Sequence, residues 1–212
     1  MKTFEQKKKE NIHLFNKWAK SYDFPLFQFW MKKFHEPIEK ELILTPQIKI
    51  LDISCGTGEL LLRWKGKALL TGIDLAEKML LKAREKLPQE IKLLKADVHN
   101  LPFKKEHFNY VISTEAFHHY YDQKKALQEM IRVKKNEGKV IIVDINFFFH
   151  FIHIIFEHLE PGCVKVNDKK EMKKLFKDVG LTKISQKRQF LFAVMTVGTK
   201  TAVKKVISSV TP

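Results

Sequence analysis

Cysteine, glycine and proline are all scarce in this chain, whose 212 residues include only two, eight and seven of them. The two cysteines, Cys55 and Cys163, are too few and too far apart in sequence for a small domain held by a disulfide framework. The low glycine and proline content excludes collagen-like and low-complexity chains. We therefore expect a globular protein of a reducing compartment, the cytoplasm.

Long apolar runs are also absent. The most apolar region, residues 140–156, is interrupted by Asp144, Asn146, His150 and His153, and it falls short of the roughly 18 uninterrupted apolar residues of a membrane-spanning helix. The first residues carry charge but lack the apolar core of a secretory signal. We expect neither a transmembrane segment nor a signal peptide.

Acidic residues are few relative to basic ones. The chain has 39 Lys and Arg and 24 Asp and Glu, which gives a formal net charge of +15. This charge favours encounter with anionic partners, such as an anionic membrane or a nucleic acid. A lysine-rich solvated surface without any ligand explains it at least as well. Hydrophobic residues make up 44% of the chain, which is enough for the core of one domain.

Strand-like and helix-like segments alternate from residue 48 onward, a pattern typical of α/β proteins with βα units on a mostly parallel sheet. Asn136 with Gly138 is interpreted as the end of the second helix, and Asn167 or Asp168 as the cap of the third. The predicted strands are 48–54, 68–74, 91–97, 108–114, 139–146, 181–189 and 190–198, and the predicted helices are 76–87, 124–135 and a third that ends at Gly180.

The first 45 residues show no strand signal, and apolar residues recur there at helical spacing from Ile12 to Ala19. We predict a helical N-terminal cap over residues 1–45 that lies against a main domain of residues 46–200, with 201–212 as a tail. The three segments are expected to form a single structural domain. An aromatic cluster in the cap consists of Tyr22, Phe24, Phe27, Phe29, Trp30 and Phe34.

A turn of small residues follows the first predicted strand, with the pattern Asp52-x-Ser54-x-Gly56-x-Gly58. The two glycines let the backbone pass close to a ligand, and the first amides of the next helix offer hydrogen-bond donors. A dinucleotide-binding loop carries a third small residue where this chain has Leu61. The carboxylate of Asp52 opposes a pyrophosphate but suits a ligand with a cationic amino group.

Two further carboxylates end the next two predicted strands. Asp74 can accept hydrogen bonds from both hydroxyls of a ribose. Asp97 can accept one from an adenine amino group while Val98 covers the ring. A single Asp at a strand end commonly forms a turn. Carboxylates at three successive strand ends, however, together describe a site for an adenosine that bears a cationic group.

With these motifs the chain resembles the class I S-adenosylmethionine-dependent methyltransferases, and among them the ubiquinone and menaquinone biosynthesis C-methyltransferases. Residues 14–23, 108–120 and 129–138 are also similar to that family, whereas Ser54 stands where the family usually has glycine. The resemblance implies a Rossmann-like, doubly wound sheet of seven strands in the order 3-2-1-4-5-7-6, with strand 7 antiparallel. It also implies S-adenosylmethionine as the cofactor.

Carried over by position, the resemblance implies contacts with each part of the cofactor. These are Asp52, Ser54, Gly56 and Gly58 at the methionine end, Asp74 and Leu75 at the ribose, Asp97 and Val98 at the adenine, and Ser113 and Thr114 beside the sulfonium.

Catalytic residues are predicted less directly. His118 and His119 follow the fourth strand, at the edge of the sheet where ligands bind. Adjacent side chains point in different directions, so at most one faces the pocket, and His118 is the preferred candidate. Tyr22 is similar in position to a tyrosine that closes over the cofactor in relatives, with simple aromatic packing as the alternative. The histidines in 150–158 lack the partners of a metal site, so we expect no metal.

The methyl acceptor is predicted only by class, as a small molecule or a lipid. The aromatic residues of 147–156 and of the cap suit a mobile lid over an apolar acceptor or a membrane-facing lip, and an amphipathic helix that covers the sheet is the simpler alternative. An RNA or protein methyltransferase and a non-catalytic cofactor-binding module are alternative functions. The methylated atom and the oligomeric state stay open.

Overall fold

The computed structural model describes residues 3–189 and 191–200. Its strands are β1 (Lys49–Ile53), β2 (Leu69–Asp74), β3 (Lys92–Lys95), β4 (Phe108–Thr114), β5 (Lys134–Ile145), β6 (Lys183–Gln189) and β7 (Ala193–Thr199). Its α-helices are α1 (Phe4–Trp18), α2 (Pro25–His35), α3 (Glu59–Arg63), α4 (Glu77–Lys86), α5 (Gln123–Val133), α6 (His150–Leu159) and α7 (Lys169–Asp178), with short 3-10 helices at Glu36–Glu41 and Phe117–His119.

The strands form one sheet in the order β3-β2-β1-β4-β5-β7-β6. Neighbours from β3 to β5 pair in parallel, and β7 is antiparallel to both β5 and β6. The predicted fold class and strand order are therefore confirmed. Since β1 lies between β2 and β4, the carboxyl ends of these three strands meet at one edge of the sheet.

Helices cover both faces of this sheet, as a largely parallel sheet requires. Side chains alternate along β1, so that Leu51 and Ile53 belong to the core packed with α5 and α7, whereas Ile50 belongs to the opposite core with Trp64. Helix α7 begins as predicted, because Asp168 and Glu171 form a reciprocal capping box.

The prediction for the end of α5 was wrong. The helix ends at Val133, and residues 134–138 already belong to β5, which pairs Lys134 with Phe108 of β4. Gly138 is not a helix stop either: a side chain there would place its Cβ 2.5 Å from the carbonyl oxygen of Asn109. Residues 134–138 thus form a strand because they pair with β4, although their local sequence predicts the end of a helix.

The first 45 residues form α1, α2 and a 3-10 helix. None of the residues of α1 is fully buried, and the helix lies over the carboxyl edge of the sheet. The side-chain oxygen of Asn16 accepts a hydrogen bond from the backbone N–H of Lys78 at 2.9 Å, and the Thr57 hydroxyl donates to Asp23 at 2.6 Å. Within the described part of the chain, no helix has the length and apolar character needed to cross a lipid bilayer.

Candidate functional site

A cavity of about 770 Å³ opens at the carboxyl ends of β1, β2 and β4, where ligands bind in open α/β sheets. A smaller cavity of about 320 Å³ adjoins it. The residues that line both cavities are Tyr22, Ser54, Gly56 and Thr114. Leu75, which the sequence analysis assigned to the ribose, lines the larger cavity.

The turn after β1 brings backbone close to both cavities. Gly56 has a φ of +53°, and a Cβ at this position would lie 3.6 Å from the Tyr22 ring. Gly58, with a φ of +82°, lines neither cavity; a Cβ there would come within 2.6 Å of Leu87 of the α4 region. Gly56 is thus placed for close approach to a ligand, whereas Gly58 packs against the α4 region, and its predicted cofactor contact stays a prediction.

Asp52 is buried and faces the smaller cavity. Its Oδ1 has no hydrogen-bond partner among the described residues. Burial, with a smaller contribution from the neighbouring Asp74 carboxylate, raises the pKa of Asp52 well above its usual range. A buried carboxyl beside a second carboxylate is stabilised in its charged form by a cation, so this end of the site suits a positively charged ligand group.

Asp74 lines the larger cavity and is held by backbone amides. Its Oδ2 accepts a hydrogen bond from Gly56 at 2.9 Å and its Oδ1 one from Ala76 at 2.8 Å. Burial raises the pKa of Asp74 to about 6 although these two hydrogen bonds oppose the shift. Each carboxylate oxygen has a second lone pair, so Asp74 can still accept from ligand hydroxyls.

Asp97 differs from Asp74, because other side chains of the protein already donate hydrogen bonds to its carboxylate. Its Oδ1 accepts from the backbone and the Nδ1 of His99, and its Oδ2 from Lys8 at 2.7 Å and Tyr121 at 2.9 Å. Burial opposes ionisation, but these hydrogen bonds hold the pKa of Asp97 well below its usual range. Four donors fill its acceptor positions. Asp97 does not line the cavity, whereas its neighbour Val98 does.

Ser113 is completely buried and lies behind the cavity wall. Its hydroxyl is 2.9 Å from the hydroxyl of Tyr120, which is also 3.0 Å from the Ser54 hydroxyl. Tyr120 lines the larger cavity. Ser113 therefore positions Tyr120, and only Thr114 of the predicted pair reaches the cavity.

The two adjacent histidines face different ways. His118 is buried, and its Nδ1 lies 2.6 Å from the Oδ1 of Asp144 at the end of β5. It lines neither cavity, whereas His119 lines the larger one. The prediction that His118 faces the pocket was wrong, because its ring is hydrogen-bonded to the buried Asp144 instead. Burial, and next the neighbouring His118, lower the pKa of His119 to about 3.

Sequence reasoning did not assign several of the residues that line the cavities, among them Glu115 and His35. Glu115 follows β4 with a φ of +49° and lines the larger cavity, and its Oε1 is buried without a described partner. Burial and Asp144 raise the pKa of Glu115 to about 8. His35 lines the smaller cavity, and burial lowers its pKa to about 4. An acidic residue directly after the fourth strand was the available signal for Glu115; no local signal marked His35.

Tyr22 lies where the two cavities meet. Burial, followed by the nearby Glu115 and Asp74 carboxylates, raises the pKa of its hydroxyl well above the usual range. The phenol is therefore neutral and suited to positioning rather than to taking up a proton.

Of the predicted aromatic lid, residues 147–156 line neither cavity, whereas Tyr22 of the cap lines both. Phe148 and Phe151 line neither cavity and are exposed to solvent. The side chains of Phe27 and Trp30 lie outside the described part of the structure. Ile12 and Phe15 of α1 supply apolar lining instead. Nor do three or more His, Cys, Asp or Glu side chains of the described residues come together as a metal site.

Comparisons with known proteins identify methyltransferases that are similar to this chain. Residues 51–142 match the model of the methyltransferase domain. The chain is 30% identical over 154 residues to the ubiquinone/menaquinone biosynthesis C-methyltransferase UbiE of Campylobacter jejuni, covering 66% of this chain and 65% of that protein. The chain is thus similar to methyltransferases over about two thirds of its length. The chain thus spans less than two thirds of the length of that relative.

Two further relatives extend the similarity beyond the matched domain. The demethylmenaquinone methyltransferase of Staphylococcus aureus is 28% identical over 214 residues, which cover 83% of this chain and 87% of the relative. A solved S-adenosylmethionine-dependent methyltransferase of Thermotoga maritima has the same fold, with a TM-score of 0.73, 20% identity, and coverage of 89% of this chain and 98% of that one.

The residues at these cavities fit S-adenosylmethionine, the cofactor that the sequence resemblance implies. The unpartnered Oδ1 of buried Asp52 matches a ligand with a cationic amino group. Gly56 lines both cavities without a side chain, and Asp74 keeps free lone pairs on the larger cavity. Asp97 fits less well, since Lys8 occupies one of its oxygens.

Proposed function

We propose that this protein transfers a methyl group from S-adenosylmethionine to a small-molecule or lipid-like acceptor. One observation carries the proposal: the cavity of about 770 Å³ joins the polar side chain of Asp74 to an apolar region under Ile12 and Phe15 of α1. Polar side chains at one end and apolar side chains at the other suit a cofactor with a ribose beside an apolar acceptor. The names of the curated relatives support a quinone precursor as the first acceptor to test.

The cofactor, when bound, supplies a methyl group already activated on a sulfonium. Asp52 binds its amino group and Asp74 its ribose hydroxyls, while Leu75 and Val98 pack against the adenosine. Thr114 and Tyr22 lie where the cavities meet and position the methionine chain. Helix α1 covers the site and excludes water, which favours methyl transfer over hydrolysis.

Glu115 and His119 act on the acceptor side. With a pKa of about 8, the Glu115 carboxyl is largely protonated at neutral pH and donates a hydrogen bond, whereas His119, with a pKa of about 3, stays neutral. Neutral groups of this kind suit a neutral hydroxyl or carbonyl group better than an ammonium ion. Because this pKa lies near neutral pH, the ionised fraction of Glu115 can take up the acceptor's proton, whereas the protonated fraction cannot.

The proposal includes a cytoplasmic site of action and peripheral contact with an anionic membrane, from which a lipid-like acceptor would enter. Both follow from the few cysteines, the net charge of +15 and the apolar character of the acceptor side. No described feature favours the alternatives, an RNA or protein methyltransferase or a non-catalytic module.

A methyl-transfer assay with isotopically labelled S-adenosylmethionine tests the proposal, with demethylated quinols, phospholipids and RNA as acceptors. We expect label in a quinol or lipid product. Label in RNA alone, or no measurable affinity for S-adenosylhomocysteine by calorimetry, would overturn it.

Glu115 has a matched control, because Glu106 is also a glutamate with a positive φ, of +56°, and is exposed. Replacing Glu115 by Ala should lower kcat by about a hundredfold, the effect of losing a group that handles a proton. The same change at Glu106 should leave kcat unaltered. Affinity for S-adenosylhomocysteine should stay unchanged in both variants. Equal losses of kcat would assign the effect to the backbone turn instead.

A further inference from the structure

Helix α6 is apolar on the side that packs against the protein. The Phe147 ring, just before the helix, contacts those of Phe156 and Phe192 at centroid distances of 5.3 and 5.9 Å. His153 is buried, and its Nε2 lies 2.9 Å from the backbone nitrogen of Phe147. These contacts fix which side of α6 faces inward.

The outward side of α6 is apolar as well. Phe151, Ile155 and Leu159 follow one another at helical spacing and share one face with Ile154. Residues 145–156 contain no Lys, Arg, Asp or Glu. A helix of a globular protein normally turns its apolar side chains toward the core, but here the apolar side chains of the outer side are exposed. The large apolar side chains of this segment that are 47–75% exposed are Phe148, Phe149, Phe151, Ile154, Ile155 and Leu159.

Charge identifies the kind of surface that would cover this face. The chain carries a net charge of +15, so two copies repel each other, whereas an anionic surface attracts either copy. The guanidinium of Arg188 lies over the Phe148 ring, 4.1 Å from its centroid, and adds a cation beside the apolar face. Aromatic and aliphatic side chains next to basic residues are the combination found in helices that lie in a lipid interface.

The position of α6 connects this face to the cavity. The helix follows β5 at the carboxyl edge of the sheet, and the Phe156 ring lies 6.1 Å from that of His118. His118 directly precedes His119 and Tyr120, which line the larger cavity. A surface bound to the outer side of α6 would therefore lie at the same edge of the molecule as the acceptor region.

We propose that the outward apolar face of α6 docks on an anionic lipid membrane. The docking itself needs neither cofactor nor acceptor; only its use, the delivery of a lipid-like acceptor, rests on the proposed function.

Sedimentation of the full chain with vesicles tests the docking. Vesicles of phosphatidylcholine that contain phosphatidylglycerol should bind the protein about tenfold or more tightly than vesicles of phosphatidylcholine alone, and salt should weaken the binding. Phe151→Ser combined with Ile155→Ser should reduce binding to anionic vesicles by about tenfold or more, because insertion depends on apolar area. Equal binding of this variant and the wild type would overturn the proposal.

A matched control comes from another exposed apolar residue. Leu81 of α4 is 59% exposed, as is Phe151, but lies on a different helix, so Leu81→Ser should change vesicle binding by less than about twofold. If it reduces binding as much as the α6 changes, the apolar face of α6 is not the docking surface. Phe149→Ser with Leu159→Ser provides a second test of the same face should the first variant fold poorly.

Two further measurements separate the remaining outcomes. Sedimentation equilibrium without lipid should show a monomer; a concentration-dependent dimer that the α6 changes abolish would overturn the proposal in favour of a second copy. Calorimetry with S-adenosylhomocysteine on the α6 variants should give wild-type affinity. Loss of vesicle binding with intact cofactor affinity supports membrane docking, whatever the methyl-transfer assay shows.

Discussion

Two rims of the cavity are built by different means. On the β1–β2 rim, residues 52–58 and 74–76, backbone amides of Gly56 and Ala76 hold the Asp74 carboxylate. On the β4–β5 rim, residues 113–120 with Asp144, side chains hold side chains, and Asn11 of α1 donates to the carbonyl of His119 across 108 residues. The first rim depends on the shape of short turns, and the second on contacts between distant parts of the chain.

The two rims also differ in what they leave unpaired. The β4–β5 rim has buried atoms without a described partner in Glu115, His119 and Asp144, whereas on the β1–β2 rim Asp52 alone has one among the described residues. Buried polar groups are usually hydrogen-bonded in folded proteins. The β1–β2 rim is thus nearly complete before ligand binding. On the β4–β5 rim, Glu115 and His119 line the larger cavity with unpartnered atoms, and we propose that an acceptor pairs with these two residues.

Removal of Asp144 should break the β4–β5 rim and give the largest effect. Asp144→Ala leaves the Nδ1 of buried His118 without its acceptor and should lower the free energy of unfolding by about 3 kcal/mol. Urea denaturation measures the loss. Asp178→Ala, which removes an exposed partner of Lys174, should cost less than about 1 kcal/mol. Similar costs at both positions would show that the buried pair contributes little.

Substitution of Gly58 tests whether the β1–β2 rim depends on its turn. Gly58 and Gly66 both have positive φ, but a Cβ at Gly58 would meet Leu87, whereas one at Gly66 has nothing within 4 Å. Gly58→Ala should destabilise by about 2 to 3 kcal/mol and Gly66→Ala by about 1 kcal/mol, in urea denaturation. If the two variants are equally stable, α4 moves aside without cost and the packing role of Gly58 is wrong.

Asp74 tests the ligand side of the same rim. Asp74→Asn should weaken S-adenosylhomocysteine binding by about 1 to 3 kcal/mol, the value of hydrogen bonds to a charged group. Since ribose hydroxyls donate to the ionised carboxylate, wild-type affinity should rise as the pH increases through about 6. Calorimetry across this range should show no such rise in Asp74→Asn. A persistent rise in that variant would assign the titration to another group.

Lys8 links α1 to the adenine end and gives the smallest expected effect. Lys8→Met frees one acceptor position on the Oδ2 of Asp97, which still accepts from Tyr121. An adenine amino group can then donate there, and affinity for S-adenosylhomocysteine should increase about threefold. Lys82→Met, which breaks the exposed pair with Glu85, should leave the affinity unchanged. If calorimetry shows no increase in the affinity of Lys8→Met for S-adenosylhomocysteine, Asp97 does not contact the adenine.

The sequence by itself was sufficient to predict the strands of the sheet and the resemblance to a methyltransferase family. Alternating apolar segments predicted the seven strands, and the resemblance supplied their order; both are confirmed by the structure, and the resemblance by the comparisons. Asp52, Gly56 and Asp74 could be singled out because the turns that place them are local, so a short stretch of sequence carries their signal. Their contacts with the cofactor stay a prediction.

Only the tertiary structure showed which side chains of the β4–β5 rim face the cavity and which apolar side chains are exposed on the outer surface. Whether His118 or His119 faces the cavity depends on Asp144, 26 residues away. That Lys8 occupies Asp97, and that α6 turns one apolar face outward, likewise depend on how distant segments pack. Short-range patterns record which residues are buried and where the chain turns, but the partner of a buried polar group is chosen by the arrangement of the whole chain.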